Sequence, residues 1–170
     1  MKQTCYVKTD SPIGQLFLIT DQISIISLEF FAVQASIPVL TENLPLMKEA
    51  LAELQAYFAD TLRQFSVPLN PTGTTFQRSV WEWTQAVPYG ETVSYGDLAR
   101  RLNRPRAYRA VAHALSRNPL PIFIPCHRVI RSNGSLGGYS SGLNIKKNLL
   151  RDKSCEFGRL GRCIVGLNIP

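Results

Sequence analysis

Cys126 and His127 stand side by side in Pro121-Ile122-Phe123-Ile124-Pro125-Cys126-His127-Arg128-Val129-Ile130. A thiol beside an imidazole pairs a candidate nucleophile with a candidate base. The thiolate is the attacking species, and its share at neutral pH depends on a nearby cation or base. His127 and Arg128 are the nearest such groups in sequence. The apolar flanks predict a strand-like segment buried on both faces. Pro121 and Pro125 argue for an edge or a turn. Adjacent side chains on a strand point to opposite faces, so contact between Cys126 and His127 requires a turn or a bridging water. The pair alone does not make a site, because a buried cysteine is most often a small core residue.

The elements around this segment add to it. Ser94-Tyr95-Gly96-Asp97 reads as a capping box, with Ser94 as N-cap and Asp97 three residues on. Leu98, Ala99 and Leu102 supply the apolar face of that helix. Asn103-Arg104 breaks it, and Pro105 suits the first position of the next. Ala107, Ala110, Val111, Ala114 and Leu115 form an apolar stripe on this second helix, and Arg106 and Arg109 share its exposed face. Two short helices joined by a tight turn, the second one basic, match a DNA-binding helix pair. His113, between apolar positions, reads as a structural histidine. Asn118-Pro119 ends the helix. Beyond the cysteine come a turn at Ser132-Asn133-Gly134-Ser135 and a glycine-rich loop, Leu136 to Gly142. Glycines there let backbone approach a ligand closely. The loop lacks the phosphate-loop pattern. Ile145 and Leu149, with Lys146 and Lys147, predict a last helix near 144–152.

The chain has 170 residues, 45% of them hydrophobic, and a net charge of +7. That suffices for a real core in one domain or two small ones. The charge is uneven. Residues 1–75 carry four Lys/Arg against seven Asp/Glu, whereas residues 76–153 carry 13 against four. An acidic first half and a basic second half suggest a supporting domain joined to a polyanion-binding one. No run of about 18 apolar residues appears and no signal pattern opens the chain. A soluble, intracellular protein with no membrane partner is expected. Cys5, Cys126, Cys155 and Cys163 show no metal-binding spacing and read as free thiols. With His113 and His127 the only histidines, no metal site is expected.

The first half reads as an antiparallel sheet. Gln15 to Thr20 and Ile23 to Phe30 are β-rich runs, with turns at Ser11-Pro12-Ile13-Gly14 and Asp21-Gln22. Residues 31–41 give no clear signal. Met47, Ala50, Leu51, Leu54, Tyr57 and Phe58 predict an amphipathic helix over 44–59. Residues 61–75 look like a linker. Phe76, Val80 and Trp83 then fall on one face of a short helix, a stripe read as core packing, and Pro88-Tyr89-Gly90 ends it.

Together these motifs resemble the methylated-DNA–protein-cysteine methyltransferases, or O6-alkylguanine-DNA alkyltransferases. The resemblance is dense from Phe76 to Leu150. It rests on Phe76-Gln77-Arg78, Pro88 to Gly96, Arg109-Ala110-Val111, Arg117-Asn118-Pro119, Ile124 to Ile130 and Gly138 to Leu143. Residues 9–62 fit more loosely, and the chain from about Asp152 does not fit. The fold class implied is α+β. A small ribonuclease-H-like α/β domain (1–70) precedes a mostly helical winged-helix-like DNA-binding domain (73–153) and an irregular tail (154–170).

The activity implied is single-turnover transfer of an alkyl group from O6-alkylguanine, and also O4-alkylthymine, to Cys126. The target atom is inaccessible in stacked DNA, so the base must be flipped out. By the same resemblance, His127 relays the thiol proton through water, Asn118 orients the site and Tyr95 stabilises the leaving guanine. Arg109 enters the base stack. Gln77, Gly96, Arg104 and Ser132 contact DNA, with Arg106 as a further basic contact. Val129, Tyr139 and Ser140 line the base pocket. No cofactor is implied. Structural zinc, bound by some relatives, has only Cys5 to draw on. The expected partner is double-stranded DNA carrying O6-alkylguanine, met by a monomer in the cytoplasm, or in the nucleus of a eukaryote. The family's glutamate that polarises the histidine falls at Lys153 here, with Asp152 and Glu156 nearby. That departure keeps open a damage-recognition protein that transfers poorly or not at all. A cysteine hydrolase would explain neither the basic helix pair nor the glycine-rich loop.

Overall fold

The computed structural model describes residues 4–30, 38–39 and 44–151. They form two compact units. The first holds the described residues up to Gly73 together with Pro119–Phe123. The second holds Thr74–Asn118 and the described residues from Ile124 on.

In the first unit, β1 (Cys5–Ser11), β2 (Gly14–Thr20) and β3 (Ile25–Glu29) form an antiparallel meander in sequence order. The β1–β2 turn closes because Ser11 Oγ donates to the Gly14 carbonyl at 2.6 Å, while Gly14 takes a φ of +112° that favours glycine. Leu16, Leu18, Ile25 and Leu28 are fully or almost fully buried. Burying each such side chain favours folding by roughly 1.5–3 kcal/mol. Helix α1 (Pro45–Phe58) starts with proline in its first turn, where the missing N–H costs nothing. Its buried residues, Met47, Ala50, Leu54 and Tyr57, recur at helical spacing, and it packs on β1. The free edge of β3 is covered: Ile25 donates to the Pro68 carbonyl at 2.9 Å and Leu28 to that of Pro119 at 2.8 Å.

The second unit contains α2 (Thr75–Gln85), β4 (Val93–Ser94), α3 (Tyr95–Arg101), α4 (Tyr108–Ser116), β5 (Val129–Ile130) and α5 (Leu143–Arg151). β4 and β5 pair in parallel, Val93 with Val129 and Ser94 with Ile130. The start of α3 is thereby fixed beside the segment that follows Cys126. Ser94 caps α3 in a full capping box with Asp97. Thr74 and Gln77 form the same device on α2. Helix α4 packs on α2 and α3, and its packing on α2 is pinned by Trp81, whose indole N–H donates to the Ala114 carbonyl at 2.9 Å.

Several expectations need correction. The buried stripe of α2 is Val80, Trp81 and Thr84. Phe76 and Trp83 are half-buried, lying under the guanidinium groups of Arg104 (5.5 Å) and Arg101 (5.6 Å). Pro105 does not open α4. It sits in a turn closed by Ala107 N–H donating to the Arg104 carbonyl, and the helix starts three residues later. Arg106 therefore precedes the helix and does not share a face of it with Arg109. Ala110 is exposed, so the α4 core face reduces to Val111, Ala114 and Leu115. His113 is exposed too, with Nε2 accepting from Arg117 Nε at 3.3 Å.

The segment around the cysteine is buried from Leu120 to Val129, as its composition suggests, but it is not a strand. Ile122 turns the chain with a φ of +76°, a conformation costing a β-branched residue roughly 1–3 kcal/mol. Phe123 stacks on Phe65 with ring centroids 4.5 Å apart. After Pro125, Cys126–Arg128 wind into one 3₁₀ turn. Two prolines without N–H groups cannot sustain a ladder here. Position 153 with its neighbours Asp152 and Glu156, the tail, Cys155, Cys163 and most of 31–41 lie outside the described residues.

Candidate active site

Cys126 opens the 3₁₀ turn and is 6% exposed. Asn118, just past α4, donates through Nδ2 to Cys126 Sγ at 3.2 Å and to the Ile124 carbonyl at 2.9 Å. One amide thus clamps the chain on the approach to the cysteine and touches the sulfur. His127 is fully buried beside it. Burial pushes the Cys126 thiol above its ordinary pKa. The Asn118 bond, the charge of Lys146 and a bond from Tyr139 pull it back in part.

The cation nearest in sequence does not serve the thiol. Arg128 turns away, donating to the Val87 carbonyl at 2.8 Å and lying 5.4 Å over the Tyr89 ring. Lys146 of α5 takes that place. It is 0% exposed, and its Nζ donates to the carbonyls of Val129 and Leu136, each at 2.6 Å, and more weakly to that of Gly138 at 3.4 Å. It ties the glycine-rich loop to β5. Burial lowers its pKa to about 8, the Cys126 charge opposing the shift. Sequence reasoning missed this residue as part of the site. A signal existed: Lys146 lies three and four residues before the buried Leu149 and Leu150, hence on the buried face of α5.

Tyr95, the first residue of α3, faces the same place. Burial and the Cys126 charge raise its pKa while Arg131 lowers it, so the phenol keeps its proton at neutral pH. Gly137 makes room for it. A Cβ at Gly137 would stand 2.8 Å from the Tyr95 hydroxyl oxygen, and its φ of +69° favours glycine as well. Tyr95, Cys126, Tyr139, Ser140 and Leu115 line a cavity of about 300 Å³. Beside it a wider cleft of about 690 Å³ is lined by Tyr95, Gly96, Arg100, Arg109, Arg131 and Ser132, among others.

The remaining site residues foreseen from sequence stand elsewhere. Gln77 is engaged in capping α2, its Oε1 accepting from the Thr74 N–H at 2.8 Å. Arg104 and Arg106 are exposed and outside both cavities. Val129 is fully buried and lines neither. Its N–H donates to the Cys126 carbonyl, and its own carbonyl accepts from Lys146. No group of three or more His, Cys, Asp or Glu suited to a metal occurs among the described residues. No helix among them is long and apolar enough to cross a membrane.

Two family models account for most of the chain. Residues 4–71 match the ribonuclease-like domain of 6-O-methylguanine DNA methyltransferase, and residues 75–154 match its DNA-binding domain. The chain belongs to the 6-O-methylguanine DNA methyltransferase family. Its first unit is the ribonuclease-like half and its second the helical DNA-binding half of an α+β fold. A methylated-DNA–protein-cysteine methyltransferase of Methanosarcina acetivorans is 45% identical, over 88% of this chain and 99% of its own. The constitutive one of Bacillus subtilis is 41% identical, over 89% and 96%. The crystal structure of Mycobacterium tuberculosis O6-methylguanine methyltransferase superposes with a TM-score of 0.81 at 38% identity, covering 89% of this chain and 93% of that one. The same organism's protein in complex with DNA gives 0.81 at 38%, covering 88% and 92%. These relatives carry the name of a transferase, which favours transfer over recognition alone.

Proposed function

We propose that the protein repairs DNA by moving the alkyl group of O6-alkylguanine, and of O4-alkylthymine, onto Cys126 once per molecule. The observation that carries this is a buried cysteine in a small cavity that adjoins an arginine-lined cleft. The cleft suits the phosphate backbone, and the cavity receives a base rotated out of the stack. Thiol burial keeps stray electrophiles away until a base arrives.

The step balances simply. The thiol proton passes through water to His127. The Cys126 sulfur attacks the alkyl carbon, a carbon–sulfur bond forms and the bond to guanine O6 breaks. Guanine leaves with the electron pair, and the Tyr95 phenol, protonated at neutral pH, donates a hydrogen bond to it. Asn118 holds the sulfur in line. Tyr139 and Ser140 line the base cavity, with the Val129 backbone behind it. The thioether is not hydrolysed, which makes the reaction stoichiometric. Arg109, exposed on α4, fills the space the base vacates. Gly96 and Ser132 line the cleft against the backbone, and Gln77, Arg104 and Arg106 extend the contact outside it. The protein acts as a monomer on double-stranded DNA, in the cytoplasm or, in a nucleated cell, where the chromosomes lie.

Intact-mass measurement after incubation with duplex containing O6-methylguanine tests this. One added methyl per chain, mapped to the Cys126 peptide and absent in Cys126→Ser, is expected. Methylation at Cys5 with Cys126 unmodified, or no mass change at all, would refute it.

A further inference from the structure

Tyr108 is an exposed aromatic at the first position of α4, 48% accessible and immediately before Arg109. Single exposed aromatics are ordinary. Its neighbours are what set this one apart. The Arg109 guanidinium lies 5.8 Å from the Tyr108 ring centre, and both residues line the wide cleft with Arg100 and Arg131. Three other arginines of this unit also lie over aromatic rings, Arg101 over Trp83, Arg104 over Phe76 and Arg128 over Tyr89. In those pairs the ring is half-buried and serves as a floor. In the Tyr108–Arg109 pair, both residues are exposed. An exposed ring here adds nothing to the α4 core, which is built from Val111, Ala114 and Leu115.

We propose that Tyr108 enters the DNA with Arg109 as the aromatic half of a two-residue wedge, stacking on the base next to the gap left by the flipped nucleotide. The inference rests on the reading of the protein as a DNA alkyltransferase and adds to it a positioning residue for base extrusion. Two physical effects support it. A ring face replaces the stacking partner that the neighbouring base loses, whatever that base is. The cation–π contact also holds the Arg109 side chain in place before DNA arrives, so less side-chain freedom is lost on insertion. Apolar and aromatic wedges beside a kinked or opened step are a recurrent solution to the cost of unstacking.

The test compares wild type, Tyr108→Ala and Tyr108→Phe in single-turnover transfer from O6-methylguanine duplex and from free O6-benzylguanine, which needs no extrusion. Tyr108→Ala is expected to be roughly tenfold slower on duplex, in line with loss of one base–aromatic stack. It should be unchanged on the free base, and Tyr108→Phe should match wild type on both. Alanine favours helix at this exposed site, so the variant should fold. A wild-type duplex rate in Tyr108→Ala would overturn the wedge. Equal losses on both substrates would make Tyr108 a structural residue and overturn it too. A Tyr108→Phe variant as slow as Tyr108→Ala would assign the effect to the hydroxyl and reject stacking. Failure of wild type on both substrates would sink the repair reading and this inference with it.

Discussion

Replacing Lys146 by methionine keeps most of the buried stem and deletes the ammonium. Two hydrogen bonds of 2.6 Å, to Val129 and Leu136, disappear with it, and the 3.4 Å contact to Gly138 counts for little. Each carbonyl left unsatisfied costs about 1–3 kcal/mol where water cannot replace the donor. Relief from burying a charge offsets part of this, the same penalty that lowers the lysine pKa to about 8. A net loss of about 2–4 kcal/mol, or roughly 5–15 °C in Tm, is expected for a chain of this size. The chemical effect is separable. At pH 7 Lys146 is protonated, and its charge pulls the Cys126 pKa down. Without it the thiolate is scarcer, by about tenfold for every 1.36 kcal/mol of lost interaction. We therefore expect about a tenfold slower transfer at pH 7, with the rate rising toward wild type at alkaline pH. The assay is single-turnover reaction with free O6-benzylguanine below the melting range, so that changes in DNA binding do not enter, beside ultraviolet titration of the thiol. A Lys146→Met protein with the wild-type thiol pKa and rate would refute the electrostatic argument, whatever its Tm.

Gly137→Ala should push Tyr95 out of place, because the new Cβ meets its hydroxyl at 2.8 Å and the backbone there has positive φ. Transfer should slow by about a hundredfold, the usual loss of one well-aimed donor, and circular dichroism should show the fold retained. Wild-type transfer should accelerate as pH rises above neutral, because a Cys126 pKa raised by burial leaves the thiol form dominant at pH 7; a rate flat across that range would contradict this. Affinity for undamaged duplex, measured by fluorescence anisotropy, should fall steeply with added salt, since Arg100, Arg109 and Arg131 line the cleft; a salt-independent affinity would count against backbone contact there.

Local chemistry made much of the fold readable. The Ser11–Gly14 turn, the α1 stripe and the Ser94–Asp97 capping box each depend on residues close in sequence. What failed depended on rotation or on distant partners. On α2 the stripe through Trp83 and the buried one through Trp81 and Thr84 share Val80 but are centred roughly 80° apart around the helix, and either tryptophan satisfies an apolar periodicity. Pro105 suits a helix start by type. The turn held by Arg104 and Ala107 delayed that start. Around Cys126 the apolar composition signals burial, while the positive φ at Ile122 and the 3₁₀ turn are backbone features that composition does not specify. Lys146 illustrates the limit best. Its acceptors come from β5 and the glycine-rich loop, and only the folded chain shows that a lysine there is satisfied.

The passage of Pro119–Phe123 into the first unit has a consequence for synthesis on the ribosome. Domains tend to fold as they emerge, the N-terminal one first. Here the first unit lacks part of itself until position 123 has been made. Pro119 supplies an acceptor to the β3 edge, and Phe123 is the ring that stacks on Phe65. Until then the Leu28 part of the β3 edge stays uncovered in the nascent sheet. The stretch that completes it is followed directly by Ile124-Pro125 and then Cys126. Closing the first core and setting Cys126 in place are thus consecutive acts of the same short length of chain.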